Sequence, residues 1–255
     1  MGFIDAHNHL ADKVFQDSRA DIIAACLTNG IDRLLVNSTS PLDWSDVLSL
    51  ARNNSKLVVA HFGVHPWYSK NLSSDWHDTL ECLLDQTPSA IGEIGLDGIR
   101  KEIPDAIQEE IFRHQLAIAR SRCIPVCIHG VRRWHRLAHL ITKDAPPACG
   151  FLVHGYTGDA DNARKLLNLG AYFSFGTLQG GAKLNTVLQT LPPNRLLLET
   201  DSPYGAGSTQ KPNTPLTIIN LYRNLSEHLK ISADKCVELL AANFSNLYSP
   251  IIASI

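Results

Sequence analysis

Histidines 7 and 9, in the run FIDAHNHL at residues 3–10, are the first chemically suggestive pair in the chain. Residues two apart on a β-strand share a face, so both imidazoles would look the same way from a strand end. Such a pair either binds a metal or packs as ordinary polar side chains. Four more groups bear on the choice: Glu93 in IGEIGLD, His129 in PVCIHG, His154 in FLVHG and Asp201 in LLLETDSP. Each lies in or at the end of a short apolar run. One buried histidine at a strand end is more often a satisfied polar residue than a ligand. A whole set in one register is hard to explain as packing, because each buried polar group would need its own partner. A shared metal centre satisfies them together. Mixed imidazole and carboxylate donors suit zinc, manganese, iron or magnesium. They are too many for one open catalytic ion, so two ions sharing a carboxylate fit better.

These groups need a scaffold that delivers them to one place. Short apolar, β-branched runs predict strands over 2–7, 32–38, 56–63, 89–95, 124–130, 150–155, 170–176 and 194–201. Between and after them, helical periodicity covers 18–29, 42–54, 74–86, 105–122, 133–143, 159–169, 181–190, 214–229 and 232–247. The clearest helix sets Ile107, Ile111, Phe112, Leu116 and Ile118 among charged neighbours. Near-continuous apolar strands alternating with helices predict a parallel sheet covered on both sides. The expected fold is therefore α/β, a (β/α)8 TIM barrel forming a single domain over 1–255, with a doubly wound open sheet as runner-up. A barrel demands that chemistry sit at the C-terminal ends of its strands.

Composition narrows the class without naming a substrate. With 44% apolar and 19% charged residues the chain reads as an ordinary globular protein, and a formal net charge of −2 gives no bulk argument for nucleic acid. The 6 cysteines form no CxxC pair, and in a chain of this length they read as mostly buried thiols in a reducing cytoplasmic setting. No basic segment followed by an apolar run marks a secretory signal, and no apolar stretch approaches a membrane span.

Taken together, DAHNHL, GVHP at 63–66, GEIGLD at 92–97, PVCIHG, VHGYTGDADNARKLLNLGAYFSFG at 153–176 and RLLLETDSPY at 195–204 resemble the TatD family of metal-dependent hydrolases, within the amidohydrolase-like superfamily. The resemblance covers nearly the whole chain. HxH alone recurs across many amidohydrolase-like families, whereas the run from VHGYTG to SFG together with LLLETDSP is specific. The resemblance implies that His7, His9 and Asp201 hold one divalent ion, that Glu93 bridges to a second, and that His129 and His154 complete the second site. It further implies a deoxyribonuclease-type hydrolase, with Mg, Mn or Zn as the two ions and DNA or another phosphodiester as substrate. Water between two cations is strongly acidified, and Asp201 can receive its proton as a general base that is also a ligand; Asp201 and Glu93 are thus the catalytic candidates. The alternatives are an amidohydrolase-type hydrolase of a small ester, lactone or amide, or a non-nuclease subunit of a larger system. Protein partners are not legible.

Several residues are read beside these. His65 matches the family's HP motif on the loop after the third strand and is expected to touch substrate. His61, inside that strand, is read as structural. His77, His114, His135, His139 and His228 fall on presumed helices and read as surface residues. Asp5 and Asp97 are expected to orient ligands or cap loops. After His129 the chain departs from the family pattern with HGVRRWHR. Arg132, Arg133 and Arg136 read either as a phosphate clamp, with Trp134 stacking on a base, or as the solvated start of a helix. Lys211, in the loop 203–215, is a candidate phosphate contact.

Overall fold

The computed structural model describes residues 2–205 and 212–252. Eight parallel strands run in chain order around one sheet: β1 (Phe3–Asn8), β2 (Ile31–Asn37), β3 (Val58–Phe62), β4 (Ser89–Asp97), β5 (Val126–Val131), β6 (Phe151–Val153), β7 (Ala171–Phe175) and β8 (Leu196–Leu198). The intervening and following helices are α1 (Arg19–Thr28), α2 (Trp44–Asn53), α3 (Trp76–Gln86), α4 (Asp105–Arg122), α5 (Trp134–Asp144), α6 (Ala160–Asn168), α7 (Gly181–Thr190), α8 (Ile218–Leu229) and α9 (Ala233–Ile252). The barrel expected from the alternating pattern is present, and the open sheet is set aside. No helix among the described residues is long and apolar enough to cross a membrane.

Closure brings the first ligand strand against the last. His9 N–H donates to Ser202 O at 2.7 Å and Asp201 N–H donates to His7 O at 2.9 Å. The buried Asp5 carboxylate accepts from Thr200 N–H at 2.9 Å and from Thr200 Oγ1 at 2.6 Å. The strand expected over 194–201 accordingly shortens. Pro193–Arg195 winds into a 3-10 turn, and beyond β8 the chain bonds to Asp5, His7 and His9 rather than continuing the ladder.

The barrel interior is a core of its own. Each strand contributes at least one inward residue, among them Ile4, Val59, Ala90, Cys127, Leu152, Tyr172 and Leu197, and most of these are the second residue of their strand. Phe244, Leu247, Tyr248 and Ile251 of α9 pack onto this cluster, so α9 plugs the end where the strands begin. Burying side chains of this size is worth roughly 1.5–3 kcal/mol each. With that end closed, the opposite mouth is left for chemistry.

Alternation sends further inward residues toward the mouth, as in Cys127 to His129, Leu152 to His154, and Leu197 through Glu199 to Asp201. Two strands break the alternation. The β1–β2 register slips between Asp5 and Asn8, so His7 and His9 face the mouth although Ile4 and Ala6 face the interior before them. The β4–β5 register slips between Ile91 and Ile94, at Glu93. Such bulges re-aim side chains, and here both fall on strands that carry members of the polar cluster.

Asp5 is where closure is most concentrated. Replacing it with Ala strands two buried donors of Thr200, so Asp5→Ala should cost about 1–3 kcal/mol of unfolding free energy. Urea denaturation checks this, and an unchanged midpoint would show that the Asp5–Thr200 bonds do not hold the barrel shut.

Candidate metal centre

The C-terminal mouth collects His7, His9, Glu93, His129, His154 and Asp201 into one cluster, buried but for parts of His129 and Asp201, with His65 beside them. On one side, His7 Nε2 and His9 Nε2 stand 3.1 Å apart. Glu93 Oε2 lies 3.4 and 3.3 Å from them, and Asp201 Oδ1 lies 3.5 and 3.6 Å from them. On the other side, Glu93 Oε1 lies 2.7 Å from His129 Nδ1 and 2.6 Å from His154 Nε2, which are themselves 3.2 Å apart. Donor atoms about 2.1 Å from a shared ion stand roughly 3.0–3.4 Å from one another, so the first set is spaced as ligands of an ion, and these residues are able to hold metal. Glu93 presents one oxygen to each set. Its backbone N–H is fixed by Ser38 O at 3.0 Å.

The outward nitrogens decide which way the lone pairs point. His9 Nδ1 faces the carbonyl of Asn37 at 3.0 Å, His129 Nε2 faces Asp97 Oδ2 at 3.1 Å, and His154 Nδ1 faces Glu199 Oε1 at 3.5 Å. An acceptor on the outer nitrogen keeps the proton there, so the inner nitrogen offers its lone pair to the centre. His7 Nδ1 faces the thiol of Cys127 at 3.2 Å, and its ring stacks on His154 with centroids 3.8 Å apart. His65 is turned the other way. Its Nδ1 accepts from Trp67 N–H at 3.1 Å, so in the neutral ring Nε2 carries the hydrogen, 3.5 Å from Glu93 Oε1. That geometry makes His65 a donor into the site rather than a ligand, although its position alone would allow ligation.

Burial and mutual charge set the protonation. Burial opposes ionisation of Glu93, but the surrounding histidines, His154 first among them, hold its carboxyl well below the usual range. Burial likewise opposes a charged His154, yet Glu93 and Glu199 carry it well above the ordinary imidazole value. For His129 the bonds to Asp97 and Glu93 overcome burial and raise it, and for His9 Glu93 and Asp201 do the same. Burial pushes His65 well down despite Glu93, so it is neutral near pH 7. Without an ion, His9, His129 and His154 hold protons where a cation would otherwise sit.

Residues 4–249 match the family model described as TatD related DNase. The chain belongs to the TatD family. TatD-family proteins are metal-dependent hydrolases, and the relatives carry that description. YjjV of Escherichia coli K12, named as an uncharacterized metal-dependent hydrolase, is 29% identical over 97% of this chain and 98% of its own. A protein of Pantoea ananatis named 3'-5' ssDNA/RNA exonuclease TatD is 30% identical over 77% of each chain. The crystal structure of YjjV superposes with a TM-score of 0.89 at 28% identity, covering 97% of this chain and 98% of that one. A TatD-family hydrolase from Entamoeba histolytica shares the fold with a TM-score of 0.86 at 23% identity.

Against this TatD site the remaining expectations divide. His61 is fully buried, with Nδ1 2.8 Å from Asn37 Oδ1 and its ring stacked on Tyr248, as a structural residue would be. Asp97 and Asp5 hold His129 and the Thr200 segment, as expected. Arg132 is exposed at positive φ (55°) after β5 and has no side-chain partner among the described residues. Arg133 pairs with Asp105, Nη2 to Oδ2 at 3.0 Å. Trp134 is a correction: it is buried in the core with its ring 4.7 Å from Tyr156, so it offers no face to a base. Lys211 lies outside the described residues. The aromatic rim was not foreseen. Trp67, Tyr68 and Tyr204 line a cavity of about 260 Å3 over the cluster and stay partly exposed. Glu199 was also missed, although its place two residues before Asp201 on the same strand face could have revealed it.

Metal binding must displace protons from imidazoles whose affinities are raised in the metal-free site. Competition with a chromogenic chelator should therefore show tighter binding at pH 8 than at pH 6, by roughly tenfold per pH unit for each proton displaced. Equal affinity at the two pH values would rule out these imidazoles as the ligands.

Proposed function

We propose that the chain hydrolyses phosphodiester bonds, with DNA as the substrate, using two divalent ions. His7, His9 and Asp201 would hold one ion and His129 and His154 the other, with Glu93 shared. The observation that carries this reading is Glu93 itself, whose two oxygens face two separate imidazole sets. A bound pair of divalent cations supplies an acidified water and charge neutralisation at the phosphoryl oxygens. The name borne by the Pantoea relative supports a nucleic-acid substrate.

The protein's own groups do the rest. Asp201 Oδ1 faces His7 and His9, and its other oxygen is left to take the proton of the attacking water. Burial works against this carboxylate, but His7, His154 and His9 keep it below its ordinary value and therefore ionised. As the new P–O bond forms and the ester bond breaks, the proton taken by Asp201 becomes available to the leaving oxygen. His65, neutral and with Nε2–H turned inward, donates a hydrogen bond to a non-bridging phosphate oxygen. The exposed rings of Trp67, Tyr68 and Tyr204 offer stacking faces to bases. Arg132 adds a positive charge beside the site.

The direct test is a screen of chelated and metal-reloaded protein against DNA, RNA, model phosphodiesters, esters and lactones. Chelation should abolish hydrolysis and reloading should restore it on DNA; hydrolysis of esters or lactones alone would replace the phosphodiester reading. Asp201→Asn keeps the shape and one carbonyl oxygen but loses the base. Its single-turnover rate at saturating metal should fall by ~10²–10⁴ while DNA still binds. A rate within a few-fold of wild type would move the base elsewhere.

The arginines separate in a salt titration. Arg132→Ala should reduce the log–log slope of DNA binding by somewhat under ~1, the share of one phosphate contact. Arg133→Ala, which only breaks the pair with Asp105, should leave it near the wild-type value. Equal slopes for Arg132→Ala and wild type would make Arg132 a solvated surface residue.

A further inference from the structure

A second cavity, of about 420 Å3, adjoins the metal centre and shares Asp201 and Glu199 with it. Its walls come from the loop after β6, the end of β7 and the first turns of α7. Tyr156, Phe175 and Val187 are buried in those walls and Leu184 is half-buried. Its size lies within the range of small-molecule sites, roughly 300–1,000 Å3. We propose that this cavity is a nucleoside site, and that in the phosphodiester reaction, on whose assignment this role rests, it receives the terminal nucleoside of the strand being cut.

Four observations converge on that occupant. Asp201 stands between this cavity and the rim cavity, so a phosphate beside it has one neighbour to place on each side. The rim presents the exposed rings of Trp67, Tyr68 and Tyr204, suited to the continuing strand, whereas this cavity, the roomier of the two at about 420 Å3 against about 260 Å3, has space for one flat apolar group and its sugar. Three of the polar side chains in its walls already have partners. Tyr156 Oη donates to Asp159 O at 2.6 Å, Glu199 accepts from Ser174 and faces His154, and Thr177 Oγ1 accepts from Gln179 N–H at 3.1 Å. A base lying against Tyr156, Phe175, Leu184 and Val187 is therefore held mainly by apolar contact, while the free polar groups, Lys183 and Asp201 among them, serve the phosphate and sugar. Finally, the exposed Lys183 Nζ donates to Thr157 O at 2.6 Å and keeps two further N–H donors, so a cation stands at the cavity for the phosphate or hydroxyl of the strand end.

Gly176 gives a way to fill the space. A Cβ built there meets Glu199 O at 3.6 Å, an ordinary contact, so a larger side chain can start without strain. In metal-loaded protein, dAMP should bind roughly tenfold tighter than 2-deoxyribose 5-phosphate, the low end of what one base on apolar and aromatic side chains contributes. Gly176→Leu should bring the ratio close to one. Leu184→Ala, which removes a wall without adding bulk, should lower it too and covers the case in which Gly176→Leu fails to fold. In the cutting assay, wild type should process strands ending in an intact nucleoside about tenfold faster than abasic-ended strands, with the four terminal bases within a few-fold of one another. Equal binding of the two probes overturns the nucleoside site whatever the cutting assay gives. Discrimination between the probes without cleavage of any phosphodiester upholds the site and overturns the reaction class instead. Cleavage of DNA with a base preference that Gly176→Leu and Leu184→Ala both leave intact overturns the cavity and upholds the reaction.

Discussion

Glu93 is the constraint around which the mouth of this barrel is organised. A buried carboxylate with an imidazole pair on each oxygen is stable only if every one of those imidazoles is held in place from behind, since each is itself desolvated. The structure supplies the backing from around the barrel: Asn37 O from β2 for His9, Cys127 from β5 for His7, Asp97 from β4 for His129, and Glu199 beyond β8 for His154. The backing groups are held in turn. Asp97 also accepts from Trp67 Nε1 at 2.8 Å and Ile99 N–H at 2.6 Å, and Glu199 accepts from Ser174. The polar network is thus a consequence of barrel closure, because no single strand could bring both a donor nitrogen and its backing acceptor to the centre.

Much of this was legible in the sequence, and the part that was not has a physical reason. Strand and helix positions followed from apolar periodicity, and the converging groups from their shared position near strand ends. For His129 and His154 the reasoning holds residue by residue, because β5 and β6 alternate without a slip at those positions. For His7, His9 and Glu93 the right convergence came with an incomplete picture. Alternation carried forward from Ile4 and Ala6 would have sent His7 and His9 away from the centre, and only the bulges restore them. Bulges have no residue signature here. Trp134 failed for another reason. Its neighbours Arg132, Arg133 and Arg136 suggest a solvated face, but Gly130 leaves space against which the indole packs: a Cβ at Gly130 would lie 2.2 Å from the ring. The rim aromatics are tertiary facts, set by loops that no periodicity describes, whereas Glu199 follows the alternation that leads to Asp201 and was legible.

Asp201 shows how local strain and function meet. It adopts a positive φ of 49°, a region that non-glycine residues occupy at a cost of order 1–3 kcal/mol. The surroundings enforce it: the backbone N–H is tied to His7 O, the preceding Thr200 to Asp5, and the following Ser202 O to His9 N–H. Those bonds also close the barrel. The carboxylate is thereby turned toward His7 and His9 while its side chain stays partly open, at 30% exposure, between the rim cavity and the cavity beside α7. A residue continuing β8 regularly would have no reason to leave the ladder at this point. The strain therefore buys a position that a regular strand end does not offer, with a carboxylate facing the buried donors on one side and open to an incoming ligand on the other.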